Sequence, residues 1–338
     1  MSAPLDFLNL PETEQKVILD DASSQLNRSS VLLEKDVWVC WTLREVFTIP
    51  GLHLAFKGGT SLSKAYRVIE RFSEDLDLTL HYGDIAHAEG LPNKAAKALT
   101  LELRQNVERT VRDTVKPALE RAFQKEFGRL PTLIIEGEHH EQLRLFYRTP
   151  QAGQSAGYVK EAVLLEFGGR NSAEPSERIH ITADIAALYP QLRFPEAQVE
   201  TLSVLRTYWE KVTLIHAEAS RNSTRGNYSR MTRHLYDLMR LHQQGYTARV
   251  LADPAILEDV VRYKSTFYGM GGVDYAACTQ GKIRLTFAQE REVLLRQDHQ
   301  QMKASNFFEE MAPHFDEVLH VLEALEGELN TALGPRNP

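Results

Sequence analysis

The stretch Phe56-Lys57-Gly58-Gly59-Thr60-Ser61-Leu62-Ser63-Lys64, followed closely by Phe72-Ser73-Glu74-Asp75-Leu76-Asp77-Leu78, decides how this chain is read. A glycine pair lets backbone amides approach a phosphate, and Thr60 and Ser61 add hydroxyl donors at the start of a helix. Asp75 and Asp77 alternate with Leu76, Leu78 and Leu80, and on a strand that spacing points both carboxylates to one face. Two acids held together repel unless a cation lies between them, which is how a site holds Mg²⁺, or Mn²⁺ in its place, against a triphosphate. Taken alone, the glycine pair is a tight turn and the acids a solvated strand face. On what reads as a core strand, however, paired acids bring no stability. Lys57 is placed to reach a phosphate or the acids themselves. The GxxxxGK[ST] pattern is absent, which rejects a P-loop ATPase.

Outward from this centre, helices are expected from Pro11 to Leu26 and from Val31 to Phe47, the second apolar all round its middle and therefore buried. His53 to Phe56 reads as a strand, Ser61 to Glu70 as a helix and Asp75 to Leu80 as a strand. Lys94 to Phe127 is a long helical stretch with a break near Pro117. Thr132 to Glu136, Gln142 to Arg148, Tyr158 to Phe167 and Ile179 to Ile185 are further strands. Beyond Ser203 the pattern is helical, in segments Ser203 to Ala219, Arg230 to Gln244, Thr247 to Lys264 and Thr286 to Leu333, with a flexible turn at Gly269-Met270-Gly271-Gly272. The expected organisation is an α/β (α+β) domain over residues 1–195 followed by an α-helical domain over 196–338.

The chain has 338 residues, 43% hydrophobic and 25% charged, long enough for more than one core and typical of a soluble globular protein. Neither a membrane-spanning run nor a signal-type N-terminus is visible, so a cytoplasmic location is expected. Cys40 and Cys278 stand far apart and read as buried thiols in a reducing compartment. A formal charge of −7 argues against a general DNA-coating protein. From Arg221 to His234 the chain nevertheless reads RNSTRGNYSRMTRH, with four arginines and no acid. Such a polar loop is either an ordinary connector or a local patch for an RNA backbone. His139-His140 lacks an HExxH continuation, and the tryptophans read as core.

KGGTSLSKAY with RFSEDLDL resembles the signature of the AbiEii/AbiGii-type toxin nucleotidyltransferases, a MenT-like branch of the polymerase-β-like superfamily. Other blocks follow in the family's order. EKDVWVCW (Glu34, Lys35, Asp36) resembles the helix before the core strand, TYWEKVTLIHAEASR (Glu210, Lys211) its Glu-Lys helix, and RHLYDLMRL (His234, Tyr236, Asp237) its later Tyr-Asp helix. The resemblance spans roughly residues 30–245 and implies a polymerase-β-like core with a mixed sheet. It implies that Asp75 and Asp77 are the metal ligands and that Lys57, Gly58, Gly59, Thr60, Ser61 and Ser73 line the nucleotide. Lys211 would meet phosphate, with Asp237 fixing it or sharing in catalysis, unless Lys211 is a surface cation and Asp237 pairs with Arg233 or Arg240. A third acid is implied, Glu166 first and Asp184 second. Arg221, Arg225, Arg230 and Arg233 are the possible RNA contacts. The function implied is transfer of NMP from NTP to an acceptor hydroxyl, with the tRNA 3′ end as acceptor, in a toxin–antitoxin or phage-defence pair with a cognate antitoxin protein. Alternatives are a small-molecule or protein acceptor, or a non-catalytic RNA- or protein-binding scaffold.

Overall fold

The structure is a computed structural model that describes residues 5–73, 75–81, 93–150, 161–221, 228–269, 273–304, 308 and 311–335. Arg225, residues 270–272 of the glycine-rich turn and residues 158–160 of an expected strand lie outside the described residues. The chain divides into two compact units. One comprises Met1–Ala65, Ser73–Tyr82 and Leu101–Thr201; the other comprises Tyr66–Phe72, Gly83–Thr100 and Leu202–Pro338.

In the first unit β1 (Leu5–Asp6) precedes α1 (Glu12–Leu26) and α2 (Ser30–Phe47). β2 (Leu54–Lys57) runs straight into the short α3 (Gly58–Lys64), and β3 (Asp75–Leu80) follows. α4 (Asn93–Thr110), part of this unit from Leu101 onward, and α5 (Lys116–Phe127) are joined by a π-helical turn, Val111–Val115. The cause is Pro117, which has no N–H to give and whose ring crowds the carbonyl four residues earlier, so the ladder opens there. β4 (Thr132–Glu136), β5 (Gln142–Phe146), β6 (Ala162–Gly168), β7 (Ser176–Thr182), β8 (Leu192–Arg193) and β9 (Glu196–Leu202) complete the unit. Seven strands form one mixed sheet in the order β4-β5-β6-β3-β2-β9-β7, and β1 pairs with β8 separately.

β3 is the middle strand, antiparallel to β2 and parallel to β6. Leu76, Leu78 and Leu80 point into a core shared with Val37, Trp38 and Trp41 of α2 and Phe123 of α5. Trp38 stacks on Tyr147 at 5.1 Å and Trp41 meets Phe123 edge-on at 5.5 Å, so these aromatics are packing groups. Both cysteines are free and buried.

In the second unit the helices are α6 (Val204–Ser220), α7 (Thr232–Gln243), α8 (Tyr246–Leu251), α9 (Pro254–Phe267), α10 (Gln289–Ala304) and α11 (Phe315–Leu333). No described helix is long and apolar enough to cross a membrane.

Four local readings of the sequence are corrected. The helix expected over Ser61 to Glu70 stops at Lys64, and Arg67 beyond it is left-handed with φ 53°. A left-handed residue cannot continue a right-handed helix. The long helices expected over Thr247 to Lys264 and Thr286 to Leu333 are each split, before Pro254 and around Pro313. β7 ends at Thr182 instead of reaching Ile185; the backbone N–H of Asp184 donates instead to the Asp36 carboxylate at 2.7 Å. β9 was not expected, although Ala197, Val199 and Thr201 are buried between exposed Glu196, Gln198 and Glu200. It carries the sheet-bearing unit to Thr201.

Candidate active site

The register of the central strands builds a polar row across one face of the sheet. Lys57 on β2 stands opposite Asp77 on β3, and Asp77 stands opposite Glu166 on β6. Glu166 in turn faces Gln142 on β5, which faces Glu136 on β4. Register partners share a face, so Lys57, Asp77, Glu166, Gln142 and Glu136 form one transverse line, with Asp75 beside it on β3. Leu76 and Leu78, on the opposite face, are fully buried, whereas Asp75 and Asp77 are half-buried and reachable. Gln142 Nε2 donates to Glu166 Oε1. Arg144, two residues along β5, clasps Glu136 with both nitrogens at 2.9 and 3.0 Å.

Gly58 makes this arrangement possible. Its φ is +77°, and an added Cβ would lie 1.9 Å from Asp77 Oδ2. The chain turns from β2 into α3 directly against the Asp77 carboxylate, where only a residue without a side chain fits. Thr60 and Ser61, expected to offer hydroxyls to a phosphate, are fully buried. Thr60 Oγ1 lies 2.6 Å from the Asp75 carbonyl and 2.9 Å from Ser73 Oγ, and Ser61 Oγ donates to the Gly58 carbonyl at 2.9 Å. Thr60 thus pins α3 to the start of β3, while Ser61 closes the first turn of α3 at Gly58.

Asp184, the other candidate third acid, is occupied elsewhere. It bonds Lys64 at 2.7 Å and Arg28 at 2.5 Å, and Lys64 also bonds Asp36 at 2.6 Å and the Thr182 carbonyl at 2.9 Å. Burial raises the carboxyl of Asp36, while the two carboxylates hold Lys64 above its ordinary range despite burial. This buried cluster joins α2, α3 and the end of β7. Glu34, two residues earlier on α2, accepts from Thr149, and burial pushes its carboxyl up to about 8.

The second unit contains its own charged cluster. Lys211 on α6 donates to Asp237 Oδ2 on α7 at 2.7 Å. Arg71 grips both oxygens of the same carboxylate, Nε to Oδ1 at 2.6 Å and Nη2 to Oδ2 at 2.7 Å. Asp237 is fully buried, and Arg71 and Lys211 are nearly so. Burial alone would raise the Asp237 carboxyl, but Arg71 and Lys211 hold it well below the usual range. Lys211 is itself depressed, first by burial and then by the like charges of Arg71 and Arg233. Arg240, an alternative partner for Asp237, bonds Glu70 at 2.6 Å instead. Arg71 went unnoticed as a site residue because its partner is 166 positions away.

Of the arginine-rich segment, Arg221 pairs with Glu218 at 3.0 Å. The backbone N–H of Arg230 donates to Asp298 at 2.5 Å, and Thr232 donates to the same carboxylate through N at 2.8 Å and Oγ1 at 2.6 Å. Asp298 of α10 therefore caps the N-terminus of α7 from a distant part of the chain. His299 lies between Phe308 and Phe315 with Nε2 on the Pro313 carbonyl.

A mixed sheet whose central strand carries paired acids beside a glycine turn is an arrangement suited to nucleotidyl transfer. Residues 41–321 match the family model described as nucleotidyl transferase AbiEii toxin, type IV TA system, and the chain belongs to that family. It is a nucleotidyltransferase of the toxin–antitoxin type. Two solved structures are similar to it. One is MenT4, a nucleotidyltransferase toxin from Mycobacterium tuberculosis H37Rv, at 18% identity and TM-score 0.43, covering 94% of this chain and 99% of that one. The other is JHP933 from Helicobacter pylori, at 14% identity and TM-score 0.43, covering 90% and 93%. Among curated proteins, none matches at a significant level.

Proposed function

We propose that the enzyme transfers a nucleoside monophosphate from an NTP to the 3′-terminal hydroxyl of tRNA and so halts translation in the bacterial cytoplasm, under the control of a cognate antitoxin protein and in a setting that includes phage defence. The observation that carries the reading is the row Lys57–Asp77–Glu166, with Asp75 beside it and Gly58 cleared of side-chain atoms against Asp77. These are hard oxygen donors suited to Mg²⁺ or Mn²⁺. Among the described residues no three acid, histidine or cysteine side chains converge as a ligand cage. The donor set that fits is thus the pair Asp75 and Asp77 completed by phosphate oxygens, the usual arrangement for a magnesium nucleotide. A divalent ion bound there neutralises charge on the phosphates undergoing displacement.

The chain's own groups do the rest. The backbone of Gly58 and Gly59 admits the nucleotide's phosphates close to β3, and Lys57 balances the acids. Glu166, steadied by Gln142, orients the acceptor hydroxyl and takes its proton as oxygen attacks the α-phosphorus and pyrophosphate leaves. In the second unit Lys211, held by Asp237, offers its ammonium to phosphate. The arginines of residues 221–233 favour a polyanionic acceptor over a small one.

The test is incubation with each labelled NTP, Mg²⁺ and total RNA, alongside Asp77→Ala. Label on tRNA that vanishes with Asp77→Ala is the expected result. Label confined to protein would overturn the choice of acceptor, and absence of label with every NTP would overturn the reading.

A further inference from the structure

Arg71 sits on the segment before β3, 2% exposed, with its guanidinium facing Asp237. Its third nitrogen, Nη1, donates to the Phe72 carbonyl at 3.0 Å, which ties the fork to its own backbone. Two buried cations, Arg71 and Lys211, thus share one buried carboxylate. Planar two-point contact also fixes the carboxylate plane in a way a lone ammonium cannot.

We infer that Arg71 is a positioning residue for nucleotidyl transfer: by holding Asp237 through both oxygens it fixes where the Lys211 ammonium sits. This rests on the reading that Lys211 serves the reaction. Among the described residues, the groups facing Lys211 are Asp237, Arg233 and His234 from α7 and Arg71 from the 66–72 segment. On α9, Asp259 is engaged by Arg206 and Arg262. Removing Arg71 leaves the whole charge of Asp237 to Lys211 and takes away a like charge. Lys211 then holds its proton to higher pH but in a looser position.

The same two elements supply a control, because Arg240 of α7 pairs with Glu70 without touching Lys211 in any bond described above. The experiment measures pyrophosphate release by the full chain with tRNA, the preferred NTP and Mg²⁺, from about pH 6 to about pH 10, for wild type, Arg71→Met, Arg71→Lys, Arg240→Met and Lys211→Met. For Arg71→Met, kcat is expected to fall by about tenfold or more with a smaller change in the KM for NTP, and the alkaline limb is expected to move to higher pH. Arg71→Lys retains the charge but not the fork. It is expected to keep the wild-type limb while its kcat stays reduced. Arg240→Met is expected to lower thermal stability and leave the profile in place.

If Arg240→Met shifts the profile as Arg71→Met does, Arg71 is only a structural tie and the inference falls. Full activity of Arg71→Lys would overturn it as well, and that variant decides the matter if Arg71→Met does not fold. Should Lys211→Met retain wild-type turnover, the reading of Lys211 itself fails, an outcome separate from failure of Arg71.

Discussion

A methyl group at position 58 would fall 1.9 Å from Asp77 Oδ2, on a backbone with φ +77°. Gly51 supplies the comparison, with φ +74° and nothing within 4 Å of its virtual Cβ. Both Gly→Ala changes carry left-handed strain of about 1–2 kcal/mol, but only the first displaces a carboxylate from the polar row. Gly58→Ala is therefore expected to lower transfer by about a hundredfold or more, well beyond what its stability loss accounts for, while Gly51→Ala lowers the unfolding midpoint alone. Urea melts and labelled-NTP transfer on the two variants test this; equal activity would show that Asp77 does not need its present position. At this scale the sequence was informative about Gly58, Asp75 and Asp77. It was silent on the carbonyls of Asp75 and Gly58 that the Thr60 and Ser61 hydroxyls bond, since a hydroxyl that bonds the backbone reads the same as one that bonds a ligand.

Among the elements, α7 is the one whose placement depends most on distant chain. Its own N-cap residue, Met231, offers no side-chain acceptor, and Asp298 of α10 receives the N–H groups of Arg230 and Thr232 together with the Thr232 hydroxyl. Asp298→Ala removes the cap and leaves three donors without it. A loss of about 2–3 kcal/mol is expected, above the usual capping value of about 1 kcal/mol because the site is buried. Asp298→Asn should recover part of the loss, as measured by urea unfolding. Were the alanine variant as stable as wild type, α7 would be held by packing alone. The tail helices thus serve the element that carries Asp237, which local sequence could not reveal because 66 positions separate Thr232 from its cap. β9 is the opposite case, since its alternation was visible in the sequence and passed unread.

For the molecule as a whole, buried titrating groups set opposite limits on the pH range of stability. Glu34 has its carboxyl raised to about 8 in the folded chain against about 4.3 in an unfolded one. Its contribution is complete below the unfolded value and is lost as pH climbs through about 8. His216, His234 and His299 are all depressed, first by burial. His216 is held neutral, with Nε2 3.1 Å from the Asp274 carbonyl and Nδ1 accepting from the Arg284 N–H at 3.0 Å. Their contribution is present above about pH 6.5 and declines as pH falls, because the unfolded chain takes up protons that the folded one refuses. Glu34→Gln is expected to raise the thermal midpoint at about pH 8 to 9, with little effect near pH 5, and to flatten the alkaline slope; an unchanged slope would show that Glu34 is ionised in the fold. By itself the sequence determined the central strand with its acids, the glycine turn, the helical C-terminal part and the family, since all of these are written in local spacing and residue type. Only the tertiary structure decided that Glu166 rather than Asp184 stands beside Asp77, that Asp237 is shared by Lys211 and Arg71, and that the Thr60 and Ser61 hydroxyls bond the Asp75 and Gly58 carbonyls. The first two outcomes depend on strand register or on partners scores of residues away, and a carboxylate in sequence does not declare which cation the fold will bring to it.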